Sequence, residues 1–388
     1  MNWADRISPT VKSIPPSGIR RFFDIVAEMK GVISLGVGEP DFITPWHIRE
    51  SCVYGLQRGY TAYTSNYGLL ELREEIARIT QKDCDVTYNP RNEILVTVGV
   101  SEALDLAMRA ILSPGDEVLI PEPCYVSYKA CVTLSSGVPV PVPTSIENEF
   151  RVTVEQLERL VTPKTKALLI GYPNNPTGAI LTRPELEAIA RFAEKYDLIV
   201  ISDEIYANLT YEGTHTCFSS LPGMRDRTIL LNGFSKAYAM TGWRIGYAMS
   251  NPDFIAAMTK IHQYTMLCAP VTAQVAAIEA LRNGEVSMQK MVTEYNGRRR
   301  LMLNGLREMG LECFEPKGAF YIFPSIGNTG LTALEFAEQL LMAEKVALVP
   351  GDAFGECGQG YVRCSYASSI ANLSEALERI SRFVKQRV

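Results

Sequence analysis

From about residue 45 to residue 285, short apolar runs alternate with stretches whose apolar positions recur at helical spacing. The runs are Ile94–Val98, Glu117–Ile120, Val138–Val142, Ala167–Ile170, Leu198–Ile201, Ile229–Leu231 and Ile245–Met249. Most are apolar throughout rather than at every second residue, which is how strands covered on both faces read. Between them, Thr182 and Glu185 form a T-x-x-E capping box, after which Leu186, Ile189, Ala190 and Ala193 share one helix face. Ala103, Leu104, Ala107, Met108 and Ile111 do the same after the first run. Strand and helix in turn predict an α/β fold around a large, doubly wound, mostly parallel sheet.

Past residue 285 the texture changes. Glu294 to Arg307 is charged and helical, Cys313 to Pro324 has the pattern of two hairpin-forming strands, and Leu373, Leu377 and Ile380 mark a final helix. Near the start, Pro15 to Gly18 precede a helix-like stretch (Phe22, Phe23, Ile25, Val26, Met29) and then Ile33 to Pro40. The predicted division is a large domain over 41–285 and a smaller α+β domain assembled from 1–40 and 286–388. Gly36 and Gly38 let backbone approach a neighbour closely, yet the third glycine of a dinucleotide fingerprint is missing.

Composition narrows the partners. A net charge of −5 supplies no basic field for nucleic acid or an anionic membrane, so a small molecule is the expected ligand. The nine cysteines contain no CxxC pair, which argues against a zinc ribbon and a disulfide framework. His47, His215 and His262 have no metal-ligand spacing, and no metal is expected. Neither a secretory signal nor a membrane-spanning run is legible, and the expectation is a soluble cytoplasmic protein.

The chemistry gathers where the apolar runs end. After Ile229–Leu231 come Ser235 and Lys236, with Arg244 eight residues beyond. A lysine stripped of water favours its neutral amine, the form that condenses with a carbonyl, and an arginine nearby offers a fork for a phosphate. Gly99, Val100 and Ser101 open a helix and present its free amides; Tyr125 offers an aromatic face; Asn175 sits in a Pro-Asn-Asn-Pro-Thr-Gly turn; Asp203 and Tyr206 follow Leu198–Ile201. Each feature has a plain reading as a cap, a turn or a rim aromatic. Their coincidence at successive strand ends is harder to dismiss.

Together these stretches resemble the fold type I, class I/II aminotransferases that depend on pyridoxal 5'-phosphate (PLP), the group containing aromatic, aspartate and alanine aminotransferases of bacteria and archaea. The resemblance is carried by SLGVGEPDF (34–42), YTSNYGLLELR (63–73), VTVGVSEALD (96–105), YPNNPTG (172–178), SDEIY (202–206), NGFSKAYAMTGWRIG (232–246), KGAFYIFP (317–324), ALVPGDAFG (347–355) and GYVRCSYA (360–367). It implies that Lys236 binds the PLP carbonyl as a Schiff base and then moves the substrate α-proton. It further implies that Asp203 faces the pyridine nitrogen, that Tyr206 and Asn175 bond the ring oxygen, and that Tyr125 stacks on the ring. The phosphate is expected on Gly99, Val100 and Ser101, with Ser235 and Arg244, and with Tyr63 reaching it from the other subunit of a homodimer. Arg363 is expected to take the substrate α-carboxylate, helped by Gly38 and Asn175, while Ile14 to Arg20 form a lip that closes over the site.

The implied reaction passes the amino group of an L-amino acid to a 2-oxo acid, 2-oxoglutarate being the expected acceptor, by a ping-pong mechanism. Aspartate specialists add a cation, but Ser101 holds the loop position and Tyr264 to Pro270 carries no basic residue. The expected donor range is therefore aromatic or broad, with Arg20 as the arginine available to a second carboxylate. A PLP-dependent carbon–sulfur β-lyase would use the same cofactor residues and is the alternative. An aminotransferase-like regulator would need a DNA-binding segment for which the pattern, beginning near residue 15, leaves no room.

Overall fold

The computed structural model describes residues 3–15 and 29–387, so the helix-like stretch from Phe22 to Val26 lies outside the described residues. In chain order the strands are β1 (Ile33–Ser34), β2 (Ile94–Thr97), β3 (Glu117–Glu122), β4 (Val138–Pro143), β5 (Thr165–Gly171), β6 (Ile199–Asp203), β7 (Thr228–Gly233), β8 (Gly246–Met249), β9 (Tyr321–Ile322), β10 (Val346–Ala347), β11 (Val349–Pro350) and β12 (Val362–Ser365). A seven-stranded sheet runs β2-β8-β7-β6-β5-β3-β4. Only β8 is antiparallel to its neighbours in it. The other strands all point one way, so their carboxyl ends line a single edge, where α/β sheets place ligands.

Apart from β4, an edge strand exposed at Val138, Pro141 and Pro143, the apolar runs are strands because both of their faces find cover. Successive side chains point to opposite faces. Ile94 and Val96 of β2 join one core cluster while Leu95 joins another. In β5, Ala167 and Leu169 pack with the Val100–Ile111 helix, whereas Leu168 and Ile170 pack with the Arg183–Lys195 helix. That second helix carries the expected capping box, Thr182 with Glu185.

A separate apolar cluster joins the helices Glu285–Glu308, Ala333–Glu344 and Ile370–Lys385 to β9 and β12. The early strand β1 pairs in parallel with β10, tying the start of the chain to its tail. The hairpin expected over Cys313 to Pro324 is not formed. That stretch closes on itself by one bridge, Cys313 to Pro324, and β9 pairs instead with β12. Its first half spends its backbone elsewhere: the amides of Lys317 and Gly318 donate to the Gly178 carbonyl, and the Lys317 carbonyl accepts from Tyr211. The turn at 172–178 is thereby fastened to the tail.

The helix Val100–Ile111 begins hard against the sheet. A Cβ on Gly246 would stand 2.7 Å from the Val100 amide nitrogen and 2.8 Å from the Gly99 carbonyl carbon. Backbone has no rotamer with which to yield. Gly246→Ala should therefore cost about 1–3 kcal/mol of stability as an overpacking change, read as a lowered thermal midpoint. An unchanged midpoint would show that the helix start is free to move.

Candidate active site

The carboxyl ends of the parallel strands open into a cavity of about 1290 Å³. Its walls include Gly38, Val100, Ser101, Tyr125, Asn175, Asp203, Tyr206, Ser235, Lys236, Arg244 and Arg363, so residues widely separated in sequence come together. Gly99 lies directly behind that wall. Tyr63 does not line the cavity; it is 83% exposed on the outer surface. Ile14 and Pro15 reach the cavity, while residues 16–20 of the expected lip, Arg20 included, lie outside the described residues.

Lys236 follows β7 by three residues, and its Nζ donates to the Gly38 carbonyl at 2.6 Å. Burial is the main cause that lowers its pKa to about 8; Glu39 and Asp203 pull the other way, and Arg363 and Arg244 press it further down. Its amine is thus neutral far more often near neutral pH than an ordinary lysine's.

Asp203 ends β6 and is buried. Tyr128 donates its hydroxyl to Oδ2 at 2.8 Å and the Ile205 amide donates to Oδ1 at 3.2 Å. Burial raises its pKa to about 6 against those two bonds, leaving a carboxylate that is ionised at neutral pH and gains from a facing cation. The Tyr206 hydroxyl pairs with that of Tyr321 at 2.7 Å. Tyr125 meets Tyr128 edge-on, with ring centroids 5.6 Å apart.

At the opposite wall, Gly99 takes φ +77°, a left-handed conformation that glycine adopts without strain. A Cβ there would lie 2.7 Å from Arg244 Nη2, so the loop and the guanidinium share one tight space. Arg244 itself sits at φ 52°, an uncommon conformation for a side chain of its size. The amides of Val100 and Ser101 have no partner among the described residues, as expected of the first helical positions.

Arg363 of β12 is buried between the Tyr321 and Phe354 rings, 4.4 and 4.8 Å from their centroids. Nη1 donates to Asn175 Oδ1 at 2.8 Å and Nη2 to the Gly36 carbonyl at 2.6 Å, while buried Nε has no partner. Within the chain Arg363 thus meets the Gly36 carbonyl, and Gly38, expected to help hold the substrate carboxylate through its backbone, lines the same cavity. Ser365 donates to the Leu35 carbonyl, which aligns Gly36 beside β12, and the Gly38 carbonyl is taken by Lys236.

The sequence matches the family described as aminotransferase class I and II over residues 30–380. The chain belongs to that family. It is 54% identical to the protein named putative aminotransferase YugH of Bacillus subtilis, covering 97% of this chain and 98% of that one. It is 48% identical to the aspartate aminotransferase of Pyrococcus abyssi, covering 98% and 99%. The solved structure of the aromatic aminotransferase from Pyrococcus horikoshii superposes with a TM-score of 0.91 at 47% identity, covering 95% of this chain and 99% of that one. The protein is an aminotransferase, acting on amino and keto acids, and its family depends on PLP.

The residues of this aminotransferase suit that cofactor. A cradle too tight for a Cβ, two unpartnered amides and an arginine match a phosphate; a desolvated amine matches a carbonyl; a buried carboxylate matches a protonated ring nitrogen. Sequence reasoning missed Tyr128 and Tyr321, which hold Asp203 and Tyr206. Tyr321 lies inside one of the family-like stretches, but its side chain's direction is set by β9 pairing with β12. It also missed Lys129, which lines the cavity in an ion pair with buried Glu122.

With cofactor removed, acylation of Lys236 should rise with pH through a midpoint of about 8, because the lowered pKa makes the reactive amine dominant above that value. Peptide mass mapping against surface lysines checks this. A midpoint shared with those lysines would contradict the desolvated site.

Proposed function

We propose that this enzyme moves the amino group of an aromatic or otherwise broadly chosen L-amino acid to a 2-oxo acid, rather than serving aspartate alone. The observation that carries the reading is the commitment of the cavity's cations. Among the described residues they are Lys129, Lys236, Arg244 and Arg363. Lys129 is neutralised by Glu122, Arg244 closes on the phosphate cradle, Lys236 is the reactive amine, and Arg363 serves the α-carboxylate. None is left for a side-chain carboxylate, while Ile14, Pro15, Val37 and Tyr125 offer apolar wall. Relatives named for aspartate and for aromatic substrates are about equally similar, so the support for the broad reading comes from pocket charge.

Bound PLP supplies a carbonyl for the amine and an electron-accepting ring for the charge left by an α-proton. Arg363 receives the substrate carboxylate, its unpartnered Nε being a donor already desolvated and aimed by its aromatic neighbours. That grip orients the Cα–H bond toward Lys236, whose amine takes the proton and returns it. Asp203, kept in place by Tyr128, would set its negative charge against a protonated ring nitrogen. Tyr206 and Asn175 serve the ring oxygen, and Tyr125 its face. The Val100 and Ser101 amides, with Ser235 and Arg244, would hold the phosphate, while Gly99, its own amide spent on the Thr97 carbonyl, leaves the cradle its room. Gly38 keeps Lys236 aimed by its carbonyl.

With PLP bound, the same residues would serve the amino acid and then the 2-oxo acid in turn, a ping-pong sequence. 2-Oxoglutarate is the proposed acceptor, and Arg20, outside the described residues, is the arginine available to a second carboxylate of either substrate, so the donor range is broad rather than closed to aspartate. Exposed Tyr63, with the large side chains of Ile43, Trp46 and Tyr264 also left exposed, supports a homodimer in which it would reach the neighbouring phosphate. Residues 41–285 form the large domain, and the remainder, including the β1–β10 pair, the small one that closes and excludes water. Among the described residues no helix is long and apolar enough to cross a membrane, which suits a cytoplasmic enzyme.

The test is the visible spectrum of the yellow holoenzyme after addition of single amino acids without keto acid. Tyrosine and phenylalanine should bleach the band at concentrations about tenfold below aspartate, since a carboxylate buried without a partner is disfavoured. Bleaching by aspartate alone would contradict the donor range. A band that no donor bleaches, with pyruvate released from a cysteine conjugate, would contradict the transfer reaction in this chain.

A further inference from the structure

Val98 to Ser101 form the short loop that enters the Val100–Ile111 helix, and the loop's shape is held from beneath. The Gly99 amide donates to the Thr97 carbonyl at 2.9 Å, and Thr97 Oγ1 donates to the Gly99 carbonyl at 3.0 Å. The Val98 amide turns away from the cavity and donates to Glu102 Oε2. Two loop amides are therefore spent internally, and those of Val100 and Ser101 remain for a ligand. The Glu102 carboxylate fixes this division, though it lies in the first turn of a helix whose end receives an anion.

A negative charge so close to an anion site is tolerable only if other donors hold it. His262 of the Pro252–Thr265 helix meets Glu102 Oε1 through Nδ1 at 2.6 Å. His262 is fully buried, and the Glu102 side chain is only 9% exposed. The other ring nitrogen, Nε2, is buried without a partner among the described residues, so Glu102 is the polar contact that fixes the ring. With an acceptor facing Nδ1, that nitrogen carries the proton. No part of the proposed mechanism uses this histidine.

We propose that His262, acting through Glu102, is a positioning residue that shapes the phosphate-receiving loop for PLP. The inference rests on the reading that Val100 and Ser101 receive the phosphate. His262 donates to Glu102, Glu102 accepts from Val98, and Val98 turned this way presents the next two free amides to the cavity. Removing the imidazole donor leaves Oε1 buried without a partner; the carboxylate then turns, and Val98 is released. The consequence is confined to the phosphate: a cofactor lacking one gains nothing from the loop.

The experiment is equilibrium dialysis of the protein, first freed of cofactor, against a series of PLP concentrations, repeated with pyridoxal, which has no phosphate. His262→Phe should raise the PLP dissociation constant about tenfold and leave that for pyridoxal unchanged. His262→Asn, whose amide nitrogen takes the place of Nδ1, should recover most of the PLP affinity. Equal PLP affinity in wild type and His262→Phe would overturn the proposal. So would equal losses for PLP and pyridoxal, or an Asn variant as weak as Phe, since either marks a packing role. Should His262→Phe fail to fold, Glu102→Ala takes its place: the same phosphate-dependent loss is expected, and wild-type retention of PLP overturns the inference. Wild type that holds no PLP would instead remove the underlying reading, an outcome visible before any variant is made.

Discussion

A single amine buried at the carboxyl edge of a parallel sheet is the constraint on which the site depends. Burial pulls Lys236 toward its neutral form, and the Gly38 carbonyl at 2.6 Å keeps it aimed while it waits. An isolated buried lysine would be costly and inert. Here it sits among two arginines and two carboxylates, whose opposing effects leave its pKa at about 8. A value in that range allows one group to take a proton and give it back. Much else in the cavity can be understood as what keeps that amine desolvated, oriented and in balance.

The sheet supplies that arrangement because every strand except β8 points the same way. Asp203 ends β6, and Asn175, Tyr125 and Gly99 follow β5, β3 and β2 within four residues, so rigid core elements largely set their separations. The tail completes the site from another core. Arg363 comes from β12, and Asn175 meets it at 2.8 Å across the junction.

The strands were legible because short apolar runs set between helical patterns suit strands of a parallel sheet, and the structure places a strand at each of them. Lys236, Asp203, Asn175 and Arg363 were legible because their residue types suit one cofactor and recur in familiar stretches. Other features depend on direction, which the sequence does not carry. Tyr128 reads as one more position of a short helix until its hydroxyl is found on Asp203. The Cys313 to Pro324 stretch has hairpin periodicity, yet its backbone bonds go to Gly178 and β12. Gly36 and Gly38 are equivalent by pattern, and only the β12 contact at Leu35 decides which carbonyl Arg363 meets. His262, without metal-ligand spacing, reads as a core histidine; its partner Glu102 is 160 residues away.

Reduction of the holoenzyme with borohydride, followed by peptide mapping, tests the central claim most directly, because it marks the amine that has condensed with the cofactor. The account predicts one pyridoxyl group per chain, on the peptide that carries Lys236. A pyridoxyl group on another lysine, or none on a protein that still turns over, would contradict it.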